Sequence, residues 1–279
     1  MKNIHKRKIL DGLLYAVMAL ALAGVIVVLA FILMYILAQS AGFLNPSFIV
    51  GIEKGILPMI VTTLYVVLVS IAIALPVGIA TAIFLNEYSG NSGLIRLLRL
   101  AIETLAGIPS IIYGLFGLLM FCRFLGFGQS IIAGSLTLSI MILPVIIRTT
   151  EESLKSIPDS FREGSLALGA TKFQTIVHVV LPPAVPGIVT SVILAICRVV
   201  GESAPVLLTV GLTRNMPRTI FESGRTLTIH LYYLTNEAVK PEDFGIAFAT
   251  ASVLVIMVVI INTITKIITN NFRKKAGTI

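Results

Sequence analysis

The stretch Ser156-Ile-Pro-Asp-Ser160-Phe-Arg-Glu163-Gly-Ser-Leu-Ala-Leu-Gly169-Ala-Thr-Lys-Phe-Gln-Thr-Ile-Val-His-Val-Val-Leu-Pro182 decides how the rest of the chain is read, because it interrupts two long apolar runs with polar sequence. It predicts two short capped helices joined by a turn. Ser160 with Glu163 has the S-x-x-E form of a capping box and Thr171 with Gln174 the T-x-x-Q form, so each pair can satisfy backbone donors at a helix start. Gly169 suits the left-handed residue that closes the first helix. Pro182 is expected to end the second, since its ring removes a donor and clashes with the preceding turn. Phe161, Ser165 and Leu168 then share one side of the first helix, and Phe173, Ile176, Val177 and Val180 one side of the second. Such a knob either packs on its own protein or is presented to a partner.

Working outward, hydrophobic residues make up 57% of the chain and charged residues 12%, with a mean hydropathy of +1.01. That is far outside the range of soluble domains, so the chain reads as an all-α integral membrane protein. Uncharged runs lie near 13–38, 58–85, 104–122, 124–147, 183–210 and 244–265. A helix needs about 20 apolar residues to cross the hydrocarbon core, so six transmembrane helices are expected. The first run is about twice as long as a signal-peptide core and lacks a small-x-small cleavage site, which makes it a retained span. Basic tails cover 1–12 and 269–279. Cys122 and Cys197 sit in apolar surroundings at a spacing that suggests neither a metal site nor a disulfide framework.

Positive charge sets the orientation. With the N-terminus in the cytoplasm, fourteen Lys and Arg fall on that side and six on the other, with Arg198 inside a span. Both termini and the knob are then cytoplasmic. The net charge of +8 is accounted for by this asymmetry rather than by nucleic-acid binding.

The spacing Glu163-Gly164-Ser165, three residues, Gly169, nine residues, Val179-x-Leu181-Pro182 resembles the EAA signature of ABC importer permeases, with two small residues in place of its alanines. Gly107-Ile-Pro-Ser-Ile-Ile-Tyr-Gly114-Leu-Phe-Gly117, Leu143-Pro144 with Arg148, and Arg198-Val-Val-Gly201-Glu202-Ser-Ala-Pro205 resemble the phosphate-type permeases of that family, and length favours their PstA type. The resemblance covers roughly residues 55–265. It implies a type I ABC importer permease fold of five helices over 55–268, with the first helix, 13–38, outside it. The loop 148–182 would be the cytoplasmic coupling element, docking on the ATP-hydrolysing subunit through Ser160, Glu163, Gly164, Ser165, Gly169, Thr171, Leu181 and Pro182. Implied partners are a second homologous permease in a heterodimer, a dimer of cytoplasmic ATP-binding subunits, an extracytoplasmic phosphate-binding protein and the bilayer. The family setting is the inner membrane of a bacterium or archaeon. No cofactor is expected on this chain, because ATP and Mg are handled by the partner ATPase.

Within the fifth run, Arg198 and Glu202 stand four residues apart and are therefore expected on one helical face. An ionisable residue at the bilayer centre costs at least about 2.5 kcal/mol, so each must face a partner, the bundle interior or water. Two readings stay open. The pair is a self-contained glue between helices, or Arg198 is an oxyanion ligand whose planar fork matches phosphate oxygens. Glu202 then either orients Arg198 or accepts a hydrogen bond from a protonated phosphate oxygen, which sulfate lacks at neutral pH. Arg148, ending the fourth run, is either a positive-inside anchor or, as the resemblance implies, a residue of the translocation path. Ser110 and Tyr113 could line that path or serve helix packing. The external segment 211–243 carries Arg214, Arg218, Arg225 and His230, and reads as a solvated loop or a surface for the binding protein.

No G-x-x-x-x-G-K-[ST] run occurs, and His5, His178 and His230 are isolated in sequence, so no phosphate-binding loop, metal cluster or nucleophile constellation is legible. The chain is expected to be non-catalytic. A permease for another oxyanion or small solute, an ion-coupled secondary carrier and a structural membrane subunit are the competing readings.

Overall fold

The computed structural model describes residues 2–52, 55–88, 93–238 and 241–275. Lys54 and Lys240, counted above for orientation, and 276–279 of the basic tail lie outside them. In chain order the helices are α1 (Lys2–Ser40), α2 (Pro46–Val50), α3 (Leu57–Ile83), α4 (Gly93–Gly107), α5 (Ser110–Gly117), α6 (Ile131–Lys155), α7 (Asp159–Ala167), α8 (Lys172–Thr175), α9 (Leu181–Gly201), α10 (Ala204–Thr209), α11 (Leu227–Glu237) and α12 (Pro241–Lys275). Three π-helical turns, Phe84–Tyr88, Leu118–Phe124 and Ile176–Val180, extend α3, α5 and α8.

Five helical stretches among the described residues are long and apolar enough to cross a membrane: Leu10–Ser40, Leu57–Tyr88, Ile131–Lys155, Lys172–Gly201 and Asp243–Ile267. The third expected span, 104–122, is broken. Gly93–Gly107 and Ser110–Phe124 meet at a bend of 101°, where Ile108 precedes Pro109 and is therefore kept out of the helical region. Hydropathy had merged the end of α4 with α5 into 104–122, since an apolar count carries no direction. The fourth span runs from Ile131 to Lys155 rather than 124–147. Gly126 and Gly128, both at positive φ, make the turn before it, and the Ser130 hydroxyl caps it by accepting from the Ala133 amide. At its other end the helix continues seven residues past Arg148, because leaving the hydrocarbon core does not end a helix. The fifth expected span, 183–210, stops at Gly201; Glu202 is extended (φ −75°, ψ 137°) and α10 restarts with Pro205 in its first turn.

The core is α3 against α6, with α9 completing it. One face of α3, including Thr63, Val66, Val67, Ser70 and Ala74, is buried against a face of α6 that includes Ser135, Leu138, Ser139 and Ile142. Ser139 donates to the Ser70 carbonyl at 3.1 Å, so the two backbones approach closely through small side chains, as membrane helices do when apolar burial cannot drive their association. Gly114 and Gly117 sit where neighbouring helices approach closely. A Cβ on Gly114 would stand 2.9 Å from the Pro205 Cα, and one on Gly117 would stand 2.0 Å from Thr137 Oγ1. Gly107 does not: nothing lies within 4 Å of its would-be Cβ. Gly117→Leu is therefore expected to destabilise the protein by about 1–3 kcal/mol through overpacking, read as a fall of several degrees in the Tm of the detergent-solubilised protein, whereas Gly107→Ala leaves it unchanged. α1 stands apart from this core, touching α12 through Tyr35 on Phe248 and Ser252 on the Ile36 carbonyl.

Candidate functional site

Two sites are built at opposite ends of the α6–α9 pair. The knob comes first, because its geometry follows most directly from local sequence. α7 starts at Asp159 with Pro158 as its N-cap, and no side chain caps it. The expected Ser160–Glu163 box is therefore absent: Pro158 fixes the helix start two residues early and leaves Ser160 already helical, where it cannot serve as N-cap. The second box forms in full, with the Gln174 amide donating to Thr171 Oγ1 at 3.3 Å and the Thr171 amide to Gln174 Oε1 at 2.9 Å. Gly169 closes α7 at φ +88°. The Ala170 amide reaches the Ser165 carbonyl and the Gly169 amide the Leu166 carbonyl, the paired bonds of a Schellman turn. Ser165 and Thr175 hydroxyls, 2.9 Å apart, tie α7 to α8.

Pro182 does not end α8. The π-helical turn Ile176–Val180 carries the helix into α9, where Pro182 sits in the first turn, a position in which its missing N–H is tolerated. The second helix of the knob and the transmembrane helix are thus one continuous lever from Lys172 to Gly201. The two faces of the knob differ. Ile176 and Val180 are buried against the chain's own core, whereas Phe161, Phe173 and Leu168 stand 56%, 68% and 91% exposed.

A residue that the sequence did not single out bolts the knob to the bundle. The Arg162 Nη2 lies 2.9 Å from Glu87 Oε1 and also donates to the Leu154 carbonyl, while Nη1 donates to Asp159 and to the Ile157 carbonyl. Both partners of the Arg162–Glu87 pair are largely buried. No local signal identifies it, because Glu87 lies 75 residues away.

At the far end of α9, Arg198 and Glu202 approach only to 3.9 Å between Nε and Oε1. The expectation of one helical face is corrected here, since Glu202 has left the helix as its C-cap. Arg198 Nε is buried and has no hydrogen-bond partner. Ser110 from the first turn of α5 faces the Glu202 carboxylate, and Tyr113, one turn on, lies within electrostatic range of Arg198. The Tyr113 hydroxyl is itself committed to the Leu105 carbonyl at 2.6 Å. The break at Glu202 is held by α11: Thr228 Oγ1 donates to the Glu202 carbonyl at 3.0 Å. An unspent guanidinium donor beside a carboxylate and a hydroxyl can take an oxyanion that carries a proton.

Arg148 is not part of this cluster. Its Nη2 lies 3.4 Å from Glu103 of α4, and both side chains are about half exposed. Ser153 donates to the Ala184 carbonyl, which sets the register of the antiparallel pair. At 1.5 Å per residue, Arg198 then lies roughly 14 Å beyond Arg148 along the bundle. Arg148 instead lines a cavity of about 210 Å3 with Arg99, Glu103, Glu151 and Lys155, where Glu151 is paired with both Arg99 and Lys155.

Residues 74–277 match the family model for the binding-protein-dependent transport system inner membrane component. The chain is 34% identical over 275 residues to the probable ABC transporter permease protein YqgI of Bacillus subtilis, covering 92% of this chain and 94% of that one. It is also 42% identical over 196 residues to the phosphate transport system permease protein PstA of Mycobacterium leprae, covering 70% of this chain and 64% of that one. Among solved structures, it superposes on the bacterial alginate ABC transporter in complex with its pentasaccharide-bound periplasmic protein with a TM-score of 0.69 at 15% identity, over 96% of each chain. Against the inward-facing MetNI methionine ABC transporter the TM-score is 0.61 at 23% identity, over 78% of this chain and 94% of that one. These likenesses carry the fold alone, which is that of type I ABC importer permeases.

Proposed function

Because the chain belongs to the family of binding-protein-dependent transport system inner membrane components, we propose that it is the permease subunit of an ATP-driven inorganic phosphate importer. The observation that carries the phosphate reading is the buried, unpartnered Nε of Arg198 beside Glu202 and Ser110. Relatives named as phosphate transport system permeases support it. Arg198 supplies the fixed positive charge and planar donors for the oxyanion. Glu202 is ion-paired with Arg198 at 3.9 Å but accepts no hydrogen bond from its Nε. It is free to accept from a protonated phosphate oxygen.

ATP and Mg act on a separate ATPase chain. The exposed Phe161, Leu168 and Phe173 form the apolar face on which that chain docks, and the continuous helix from Lys172 to Gly201 transmits its motion to the Arg198 end. Alternating access is rocking of this bundle against a second, homologous permease around a shared path. A binding protein delivers substrate at the Glu202 end. Both termini and the knob face the cytoplasm of a bacterial or archaeal cell, as the positive-inside count favours.

Initial uptake of labelled phosphate at low micromolar concentration, in cells lacking the gene and carrying the wild type, tests the reading. Restored uptake indifferent to excess sulfate is expected. Competition by sulfate or molybdate would assign another oxyanion, and uptake surviving loss of every associated ATPase would assign a secondary carrier. Glu202→Gln is expected to lower the preference for phosphate over sulfate about tenfold or more, since the amide can donate to sulfate where the carboxylate repels it. Unchanged exclusion of sulfate would reduce Glu202 to a positioning group for Arg198.

A further inference from the structure

The segment that reads as a solvated external loop contains a buried histidine with an unsatisfied nitrogen. Thr226 caps α11 by accepting from the Ile229 amide, and the helix carries His230 inward until only 6% of it is exposed. Its Nδ1 has no hydrogen-bond partner. A buried polar group left unpaired costs about 1–3 kcal/mol, so a position of this kind calls for an occupant. His230 lines a cavity of about 160 Å3 whose other walls, Phe48, Ile52, Ile56, Met59 and Ile246, are uncharged, and whose remaining polar wall is Arg214.

Arg214 and Ile52 also line an adjoining cleft of about 650 Å3, with Asn215, Arg218 and Glu222. Arg214 therefore stands between an open polar cleft and the chamber that holds His230. Among the described residues it forms no ion pair. Arg225 adds a second fixed charge close by. Its Nε is anchored on the Leu212 carbonyl at 3.0 Å, and its guanidinium lies 4.7 Å over the Tyr233 ring, with Glu237 of the same helix nearby.

We propose that Arg214, His230 and Arg225 form a second oxyanion site, an entry station that holds a tetrahedral oxyanion before Arg198 receives it. Its position suits the role. Thr228, two residues before His230, donates to the Glu202 carbonyl, so the station lies at the same end of the bundle as Glu202. Arg214 binds from the cleft side, Arg225 sets the field, and the His230 Nδ1–H donates from within. Burial, then Arg214 and Arg225, hold the empty His230 down to about 4. A bound anion favours the imidazolium, so by linkage affinity rises as pH falls below the usual histidine range toward that value. That the oxyanion is phosphate rests on the proposed function; the site itself does not.

The test uses the assembled permease and ATPase complex, without binding protein, in discs of phosphatidylcholine, with this chain labelled at its three histidines, His5, His178 and His230. Nitrogen resonances of His230 are assigned by their loss in His230→Gln, and an unchanged His178 signal reports an intact fold. Inorganic phosphate is expected to shift the His230 signals saturably and to move its titration upward by about one pH unit. The response should vanish in Arg214→Gln and persist in Arg198→Ala. A response to sulfate but not to phosphate would keep the site and overturn the phosphate reading. One that needs phosphatidylglycerol in the disc would assign a lipid headgroup and overturn the entry role. No response to phosphate, sulfate or anionic lipid would mean that water alone satisfies Nδ1, and would overturn the proposal.

Discussion

Arg198→Ala is expected to lower initial phosphate uptake about a hundredfold or more while the amount of protein in the membrane stays at the wild-type level. The retained level follows from insertion energetics, since removing a cation from an apolar span relieves a cost of at least about 2.5 kcal/mol. The lost transport follows from what remains. Removing the cation from a buried, hydrogen-bonded arginine–oxyanion contact costs about 2–5 kcal/mol, and each 1.4 kcal/mol is about tenfold. In this protein the loss is compounded, because Glu202 and Ser110 stay in place and an uncompensated carboxylate repels the substrate it was placed to recognise. Arg198→Lys separates charge from geometry. It keeps the cation and forfeits the planar fork, so partial uptake is expected, together with weaker discrimination among oxyanions. Arg148→Ala is expected to have a much smaller effect, because its pair with Glu103 is about half exposed and such pairs contribute about 0–1 kcal/mol. Uptake of labelled phosphate, normalised to membrane protein, checks all three. Wild-type uptake by Arg198→Ala would reduce the residue to helix glue.

The contrast between these arginines shows what sequence can and cannot reveal. Thr171–Gln174 and Gly169 were legible because a capping box and a left-handed turn are settled within four residues. Ser160–Glu163 fits the same pattern and fails, since Pro158 two positions earlier fixes the helix start. Counting uncharged residues found the spans but not their ends: α6 passes Arg148 without a break, and Ile108-Pro109 turns the chain by 101° inside an apolar run. Pairs that close long loops left no local trace. Arg162 with Glu87 and Arg99 with Glu151 join residues 75 and 52 positions apart, and nothing near either arginine selects its carboxylate. His230 was misplaced for the same reason. Its burial depends on α11 packing against α12 and α3, where the Leu227 amide donates to Thr63, 164 residues away.

Gly169→Val is expected to leave the protein folded and inserted, and to cut the phosphate transported per ATP hydrolysed by about tenfold. A Cβ at this position meets nothing within 4 Å, so the substitution acts through the backbone alone. At φ +88° a β-branched residue is strained by about 1–3 kcal/mol, and the chain relieves that strain by giving up the Schellman turn that sets the angle between α7 and α8. The bundle is insulated from this change. Ile176 and Val180 stay in the core, and Arg162 keeps its bonds to Glu87 and to the end of α6. What moves is the outer surface, where Phe161 and Leu168 on the α7 side of the turn lose their register with Phe173 on α8. An ATPase docked on that surface still hydrolyses ATP, but its motion reaches the Lys172–Gly201 lever out of register. Gly169→Asn, which tolerates the left-handed region, should keep most of the coupling, and Gly164→Ala, within α7 and facing open space, should keep all of it. Parallel measurement of ATP hydrolysis and phosphate uptake in the reconstituted complex checks the series. Wild-type coupling in Gly169→Val would remove the turn from the mechanism and leave the π-helical junction at Ile176–Val180 as the place where motion enters the membrane helices.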